Sequence, residues 1–321
     1  MTLRAAQTVI AGVLLVSACS GEINTPQSIE STPTPTPTAT QAAAPSFDLP
    51  AIFNCLREEG GVAIAAHRGG PYPGYPENAI ETLQYGYDNG VRVFEVDIAE
   101  SSDGQLFLMH DRTLTRTTTG EGFVAEKSWA EISRLTLVDN EATDTGFKIP
   151  TLAETLNWAV ETGAIVELDK KPTTSFRNII DAVHAAGAEN NVIMISYNDE
   201  QALEIAGIDP TLMMTASAFG SRDIAALVDG GVDQDSLIAW TGTNDPDFAA
   251  WDRVLAEGVE PAFGTLGRPG ERLDDQYMAD GDGSEFQHLA DQGLVLIATD
   301  VPLEVAEAID GDDIASEMCG L

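Results

Sequence analysis

A parallel (β/α)8 barrel, the TIM-barrel class of α/β fold, is what this chain of 321 residues predicts, and three observations predict it. Short runs rich in Val, Ile, Leu and Ala recur eight times, at residues 62–67, 92–98, 165–171, 192–197, 212–218, 236–241, 261–266 and 294–299. Helical segments with recognisable caps lie between them. Together they fill residues 47–321, close to the roughly 250 residues of such a barrel. A doubly wound open sheet is the alternative, but it usually has fewer strands, and no Gly-rich dinucleotide loop is present.

Each element has a local reason. Residues 78–89 place Ala79, Leu83 and Tyr87 on one helical face and stop at Gly90. Residues 152–162 repeat the pattern and stop at Gly163. Residues 176–186 and 284–292 read as helices that carry His184 and His288 away from the strand ends. One interval breaks the rhythm. Between the second and third strands lie residues 99–164, too many for one helix. The turn Ser102-Asp103-Gly104, an extra strand at 106–110, a Thr/Gly-rich stretch at 113–122 and a helix near 130–135 read as a small insertion, about 101–150, over one rim. The long Gly- and Asp-rich loop 264–283 reads as solvated rather than as a lid.

In such a barrel the carboxyl ends of the strands carry the chemistry. The first ends in His67-Arg68-Gly69-Gly70, followed by Pro76-Glu77-Asn78. On the second, Phe94, Val96 and Ile98 alternate with Glu95 and Asp97, so both carboxylates point into the barrel. On the third, Ile165, Glu167, Asp169 and Lys171 share one face. Buried carboxylates need a positive partner. A salt-bridge network is one answer. A single divalent cation is the other, and an all-oxygen set without nearby Cys specifies a hard ion, Mg2+ or Ca2+.

Lys and Arg number 16 against 52 Asp and Glu, a formal charge of −36. That balance excludes nucleic acid as a partner and docking on anionic lipid by surface charge. An anionic substrate would need its own Arg or Lys in the site. The first twenty residues look like an address. An apolar run at 9–16 follows Arg4 and ends in Val16-Ser17-Ala18-Cys19. This resembles the lipobox of bacterial lipoproteins, which implies a signal peptide over 1–18 and a lipid anchor on Cys19. A Pro/Thr/Ser-rich tether over 19–46 would follow, placing the protein in the bacterial cell envelope, facing the periplasm or on the cell surface. Cys55 and Cys319 remain, near the two ends of the globular part. An envelope compartment permits them to pair; two separate buried thiols are the alternative.

The ordered string Ala66-His67-Arg68-Gly69, Pro76-Glu77-Asn78, Glu95-Val96-Asp97, Ser102-Asp103-Gly104 and His110-Asp111-x-x-Leu114-x-Arg116-Thr117-Thr118-x-Gly120 resembles the glycerophosphodiester phosphodiesterase family. Asp169-Lys170-Lys171-Pro172, Ser196-Tyr197-Asn198 and Thr299-Asp300-Val301-Pro302 extend the resemblance over nearly the whole barrel. It implies catalytic histidines at His67 and His110 and a divalent metal on Glu95, Asp97 and a third-strand acid. Aligning Lys171-Pro172 with the family pattern puts Asp169 in that third place, with Glu167 competing one layer deeper. Arg68 and Lys171 would hold the phosphate. Glu77 would orient His67 or support the metal, and Asn78 would donate to the phosphate or cap a helix. The family's Trp-Thr-x-Asn stands near the seventh strand, whereas Trp240-Thr241 ends the sixth here, so Trp240 lines the alcohol side or packs at the rim.

The implied function is metal-dependent hydrolysis of small glycerophosphodiesters to sn-glycerol 3-phosphate and an alcohol, with no obligate protein partner. A barrel phosphodiesterase acting on lysophospholipid or sphingolipid, and a catalytically silent ligand-binding lipoprotein, are the other readings.

Overall fold

The structure, a computed structural model, describes residues 48–309 and 318–321. The chain opens with α1 (Leu49–Glu59) and β1 (Ala63–Ala66), then α2 (Ile80–Asp88) and β2 (Val93–Glu100). The insertion follows as β3 (Leu106–Leu108), α3 (Trp129–Ile132), β4 (Thr136–Val138) and β5 (Asp144–Lys148). After α4 (Leu152–Thr162) come β6 (Ile165–Lys170), α5 (Phe176–Ala186), β7 (Val192–Ile195) and α6 (Asp199–Ile208). Then run β8 (Met213–Ser217), α7 (Ser221–Asp229), β9 (Leu237–Trp240), α8 (Phe248–Ala256) and β10 (Glu260–Gly264). The last are α9 (Leu273–Tyr277), α10 (Ser284–Asp291), β11 (Leu296–Thr299) and α11 (Pro302–Ala308).

Strands β1, β2, β6, β7, β8, β9, β10 and β11 pair in parallel in that order, and β11 pairs back to β1, closing an eight-stranded barrel. The small β3 adds antiparallel to the far end of β2, Ile98 opposite Leu108. The register between β2 and β6 aligns Glu95 with Glu167 and Asp97 with Asp169, so the inward carboxylates of the two strands lie in two successive layers. Below them the barrel is filled by Ala63, Val93, Ile165, Ile193, Ile238, Ala262 and Leu296.

The sequence pattern did not reveal the plug at the bottom. Asp48 caps α1 by accepting from the Ala51 N–H, Pro50 favours its first turn, and Gly60 ends it in the left-handed region at φ 73°. Its apolar face, Leu49, Ile52, Phe53 and Leu56, closes the amino-terminal mouth of the barrel. Each such side chain contributes about 1.5–3 kcal/mol on burial. Arg57 donates to Gly258 O at 2.6 Å and pairs with the buried Glu260, fastening the plug to β10. Cys55 on α1 is disulfide-bonded to Cys319, with Cα atoms 5.6 Å apart across 264 residues of sequence. A crosslink of that span restricts the unfolded chain strongly. Reduction is expected to lower stability by about 3 kcal/mol, read as a shift in urea midpoint that Cys55→Ser reproduces and reductant no longer deepens.

Two expectations need correction. The helix after the first strand begins at Ile80 rather than at Asn78. Asn78 is held at φ 59° outside it, with its backbone N–H on Arg68 O and its side chain engaged elsewhere, so it is no helix cap. The loop 264–283 is not simply solvated. It contains α9, whose Asp274 is fully buried, accepts from Thr299 Oγ1 at 2.8 Å and from the Asp300 N–H at 2.8 Å. The expected signal peptide, Cys19 and tether lie outside the described residues. Among the described residues no helix is long and apolar enough to cross a membrane.

Candidate active site

The carboxyl mouth of the barrel gathers most of the residues the sequence singled out. One oxygen from each of Glu95, Asp97 and Asp169 lies within 4.8 Å of the others, and all three residues are buried. Lys171 Nζ sits 2.5 Å from Asp97 Oδ1 and 2.6 Å from Asp169 Oδ2. Arg68 turns at φ 52°, which aims its backbone N–H at Glu95 Oε2, 2.7 Å away. The neighbouring Gly69 is required there. Its φ is +85°, and a Cβ would fall 2.7 Å from Leu83 Cδ2.

The electrostatics of the cluster are lopsided. Burial, then repulsion from Asp97 and Asp169, pushes Glu95 well above the ordinary carboxylate range. Burial pushes Asp97 up too, but Lys171, His110 and Arg68 together outweigh it and hold Asp97 below its ordinary value. Asp169 Oδ2 accepts from Tyr197 Oη at 2.7 Å, while Asp169 Oδ1 is buried without a hydrogen-bond partner. Three converging carboxylates, one with a stranded oxygen, fit a hard divalent cation. Glu167 does not join them. It is on the same face one layer deeper, outside the converging set, and burial alone raises its carboxyl to about 7. Of the two candidates for third ligand, the geometry favours Asp169.

Both candidate histidines are held the same way. His67 Nδ1 lies 2.7 Å from Asp300 Oδ1, leaving Nε2 turned inward, 3.9 Å from Glu95 Oε2. His110 Nδ1 lies 2.7 Å from Asp111 Oδ1. A carboxylate at Nδ1 favours the tautomer with its proton there and leaves Nε2 free to exchange protons. Asp300 is itself gripped by Arg272 at 2.7 Å and by the Gly267 N–H at 3.1 Å, which is how the loop 264–283 enters the site. Burial alone would raise Asp300, yet the bond to His67 and these contacts bring it down to about 2. A depressed carboxyl stabilises the fold above its unfolded value near 4, and loses that contribution as pH falls toward 2. Asp300→Asn is therefore expected to remove about 2 kcal/mol of pH-dependent stability, flattening the acid limb between pH 4 and pH 2 in denaturant titrations.

Glu77 and Asn78 take other places than the sequence suggested. Glu77 does not reach His67. It accepts from Arg116 at 2.7 and 2.8 Å and from Arg68 at 3.3 Å, so it positions two arginines. Asn78 donates to Asp97 Oδ2 at 2.7 Å and accepts from the Asp97 N–H at 2.9 Å; both ends of its amide are spent on Asp97, not on a phosphate. The sequence reading assigned no role to Asp111, Arg116, Tyr197, Arg272 or Asp300. Four of them lie within the motifs quoted above, and for Asp111 its place next to His110 was the available signal. His184 pairs with Asp209 on the surface and His288 packs edge-on against Phe248, both away from the mouth.

Two cavities flank His67. One, of about 270 Å3, runs down past Glu95, Asp169 and Glu167 to Tyr197, Leu266 and Trp240, which ends the sixth barrel strand. The other, of about 500 Å3, is lined by Arg68, Tyr72, Glu77, Arg116 and Arg272.

A closed parallel barrel whose mouth joins a carboxylate triad to two aspartate-held histidines carries its candidate site where barrel enzymes carry theirs. Residues 67–220 match the model of the glycerophosphoryl diester phosphodiesterase family. The family is supported by that match and by the likeness to solved structures. It is 29% identical over 155 residues to a glycerophosphodiester phosphodiesterase of Caldanaerobacter subterraneus subsp. tengcongensis, a match covering 46% of this chain. The chain spans 63% of that relative's length. The crystal structure of a glycerophosphoryl diester phosphodiesterase from Parabacteroides distasonis is similar over 81% of this chain and 91% of its own, with TM-score 0.70 and 26% identity. A phosphodiesterase from Oleispira antarctica, solved with the product sn-glycerol-3-phosphate, shares the fold at TM-score 0.59 and 21% identity, over 79% of this chain and 99% of its own.

Proposed function

We propose that the protein hydrolyses glycerophosphodiesters to sn-glycerol 3-phosphate and an alcohol, with Mg2+ or Ca2+ held by Glu95, Asp97 and Asp169. The observation that carries this reading is the pairing of two Nδ1-anchored histidines with the buried carboxylate triad. A phosphodiester is an anion with a poor alkoxide leaving group, so catalysis must neutralise charge and move two protons. A bound divalent cation supplies positive charge toward the phosphate and lowers the pKa of a coordinated hydroxyl. Arg68 and Lys171, already at the triad, add to that charge and orient the phosphate. One of His67 and His110 takes a proton at Nε2 from the attacking water, whose oxygen bonds to phosphorus as the bond to the alcohol oxygen breaks, and the other gives its proton to the departing alkoxide. Asp300 and Asp111 keep both rings oriented and steady the imidazolium that forms. With a net charge of −36, the basic residues converging on the mouth are the local attraction that an anionic substrate needs.

The Cys19 lipid anchor and the envelope location belong to the same proposal and rest on residues 9–19. Cys19→Ala is expected to release the protein from membranes into the soluble fraction. The proposed bond cleavage is tested by phosphorus NMR of glycerophosphocholine turnover. Sn-glycerol 3-phosphate with choline supports the reading. Glycerol with phosphocholine contradicts it.

A further inference from the structure

Glu167 is the buried titratable group that the mechanism above does not use. It points inward from β6, in register with Glu95, at the boundary between the carboxylate layer and the apolar filling of Val93, Ile165 and Ile193. Its exposure is 3%, and it makes no hydrogen bond or ion pair with any described residue. A buried carboxyl without a partner costs stability, and a leucine would pack there at no such cost. The carboxyl lines the 270 Å3 cavity with Thr215, Ser217 and Trp240. A missing partner must therefore enter through that cavity.

The occupant can be narrowed. Glu167 lies outside the converging acids and has no cation beside it among the described residues, so a phosphate would be repelled from it, whereas a neutral polyol can donate a hydrogen bond to its carboxylate. At about 270 Å3 it falls below the roughly 300–1,000 Å3 of sites for drug-sized ligands, and an acyl chain would not fit. The wider cavity on the other side of His67, where Glu77, Asp300 and Glu304 stand among three arginines, leaves room for the alcohol headgroup. We infer that Glu167 accepts a hydrogen bond from the terminal hydroxyl of the substrate's glycerol moiety, making it a specificity-determining residue for fully deacylated glycerol. This rests on the phosphodiesterase reading of the same site.

The test compares glycerophosphoethanolamine with its analogue lacking the terminal hydroxyl, propane-1,2-diol 1-phosphoethanolamine. A site built to bond a substrate hydroxyl rejects the analogue that lacks it, so wild type is expected to favour glycerol in kcat/KM by about thirtyfold or more. Glu167→Leu should shrink that preference to within about threefold, and Glu167→Gln, which still accepts, should fall between. The Glu167→Leu variant should melt at or above the wild-type temperature, and divalent metal should raise its melting temperature as it raises that of wild type. The choline pair of substrates should give the same ratios. A wild-type preference below threefold, or one that survives Glu167→Leu, overturns the inference. A loss that follows the headgroup rather than the terminal hydroxyl overturns it in favour of an ammonium site. Loss of the metal-induced melting shift overturns it in favour of a metal ligand. No turnover of either compound by wild type overturns the phosphodiesterase reading itself, and the inference with it.

Discussion

Glu95→Gln should lower turnover of a glycerophosphodiester roughly a thousandfold, about 4 kcal/mol of barrier, while raising the stability of the metal-free protein. The two effects have one cause. Burial and two neighbouring carboxylates work against the ionised Glu95, so the metal-free fold carries a repulsion that the amide removes. The amide oxygen can still accept from the Arg68 N–H, which keeps the turn after β1 in place. The same substitution takes one anionic oxygen from the only group of three converging acids among the described residues, so the melting shift produced by Mg2+ or Ca2+ should vanish. A thermal melt with and without metal, beside a rate measurement, checks all three. A variant that is less stable without metal and still shifted by it would show that these acids serve as a salt-bridge network.

His67→Ala should cost about a hundred- to ten-thousandfold in kcat, the range for a positioned proton carrier. Asp300→Asn should cost less, about ten- to a hundredfold, because it acts through the ring it orients. The loss should appear in kcat with little change in KM, since Asp300 bonds the far nitrogen of His67 rather than the side facing the triad. Combining the two substitutions should cost no more than His67→Ala alone. Additive losses would mean that Asp300 works independently of His67.

The barrel and the acids of its mouth were legible because alternation along a strand is unforgiving. With Phe94, Val96 and Ile98 committed to the helices, Glu95 and Asp97 had to face inward, and the β2–β6 register then brought Asp169 alongside. Strand pattern alone could not choose between Glu167 and Asp169, since both point inward and only depth separates them. What stayed hidden depended on contacts distant in sequence. The Glu77–Arg116 pair joins residues 39 apart through the insertion, and His67 meets Asp300 across 233 positions at the seam of the barrel. The plug α1 escaped notice because its partners are the bottom-layer residues of many strands, which no local period announces. The loop 264–283 reads as solvated by composition; its place is set by Asp274 and Arg272, whose partners Thr299 and Asp300 arrive with the last strand.

The measurement closest to the central claim is release of sn-glycerol 3-phosphate from glycerophosphocholine by the fragment from residue 47, with Mg2+ or Ca2+ and with a chelator. Metal-dependent release, abolished by the chelator and by His67→Ala, is the expected result. Release that persists in the chelator, or no release with either metal across a panel of headgroups, would contradict it.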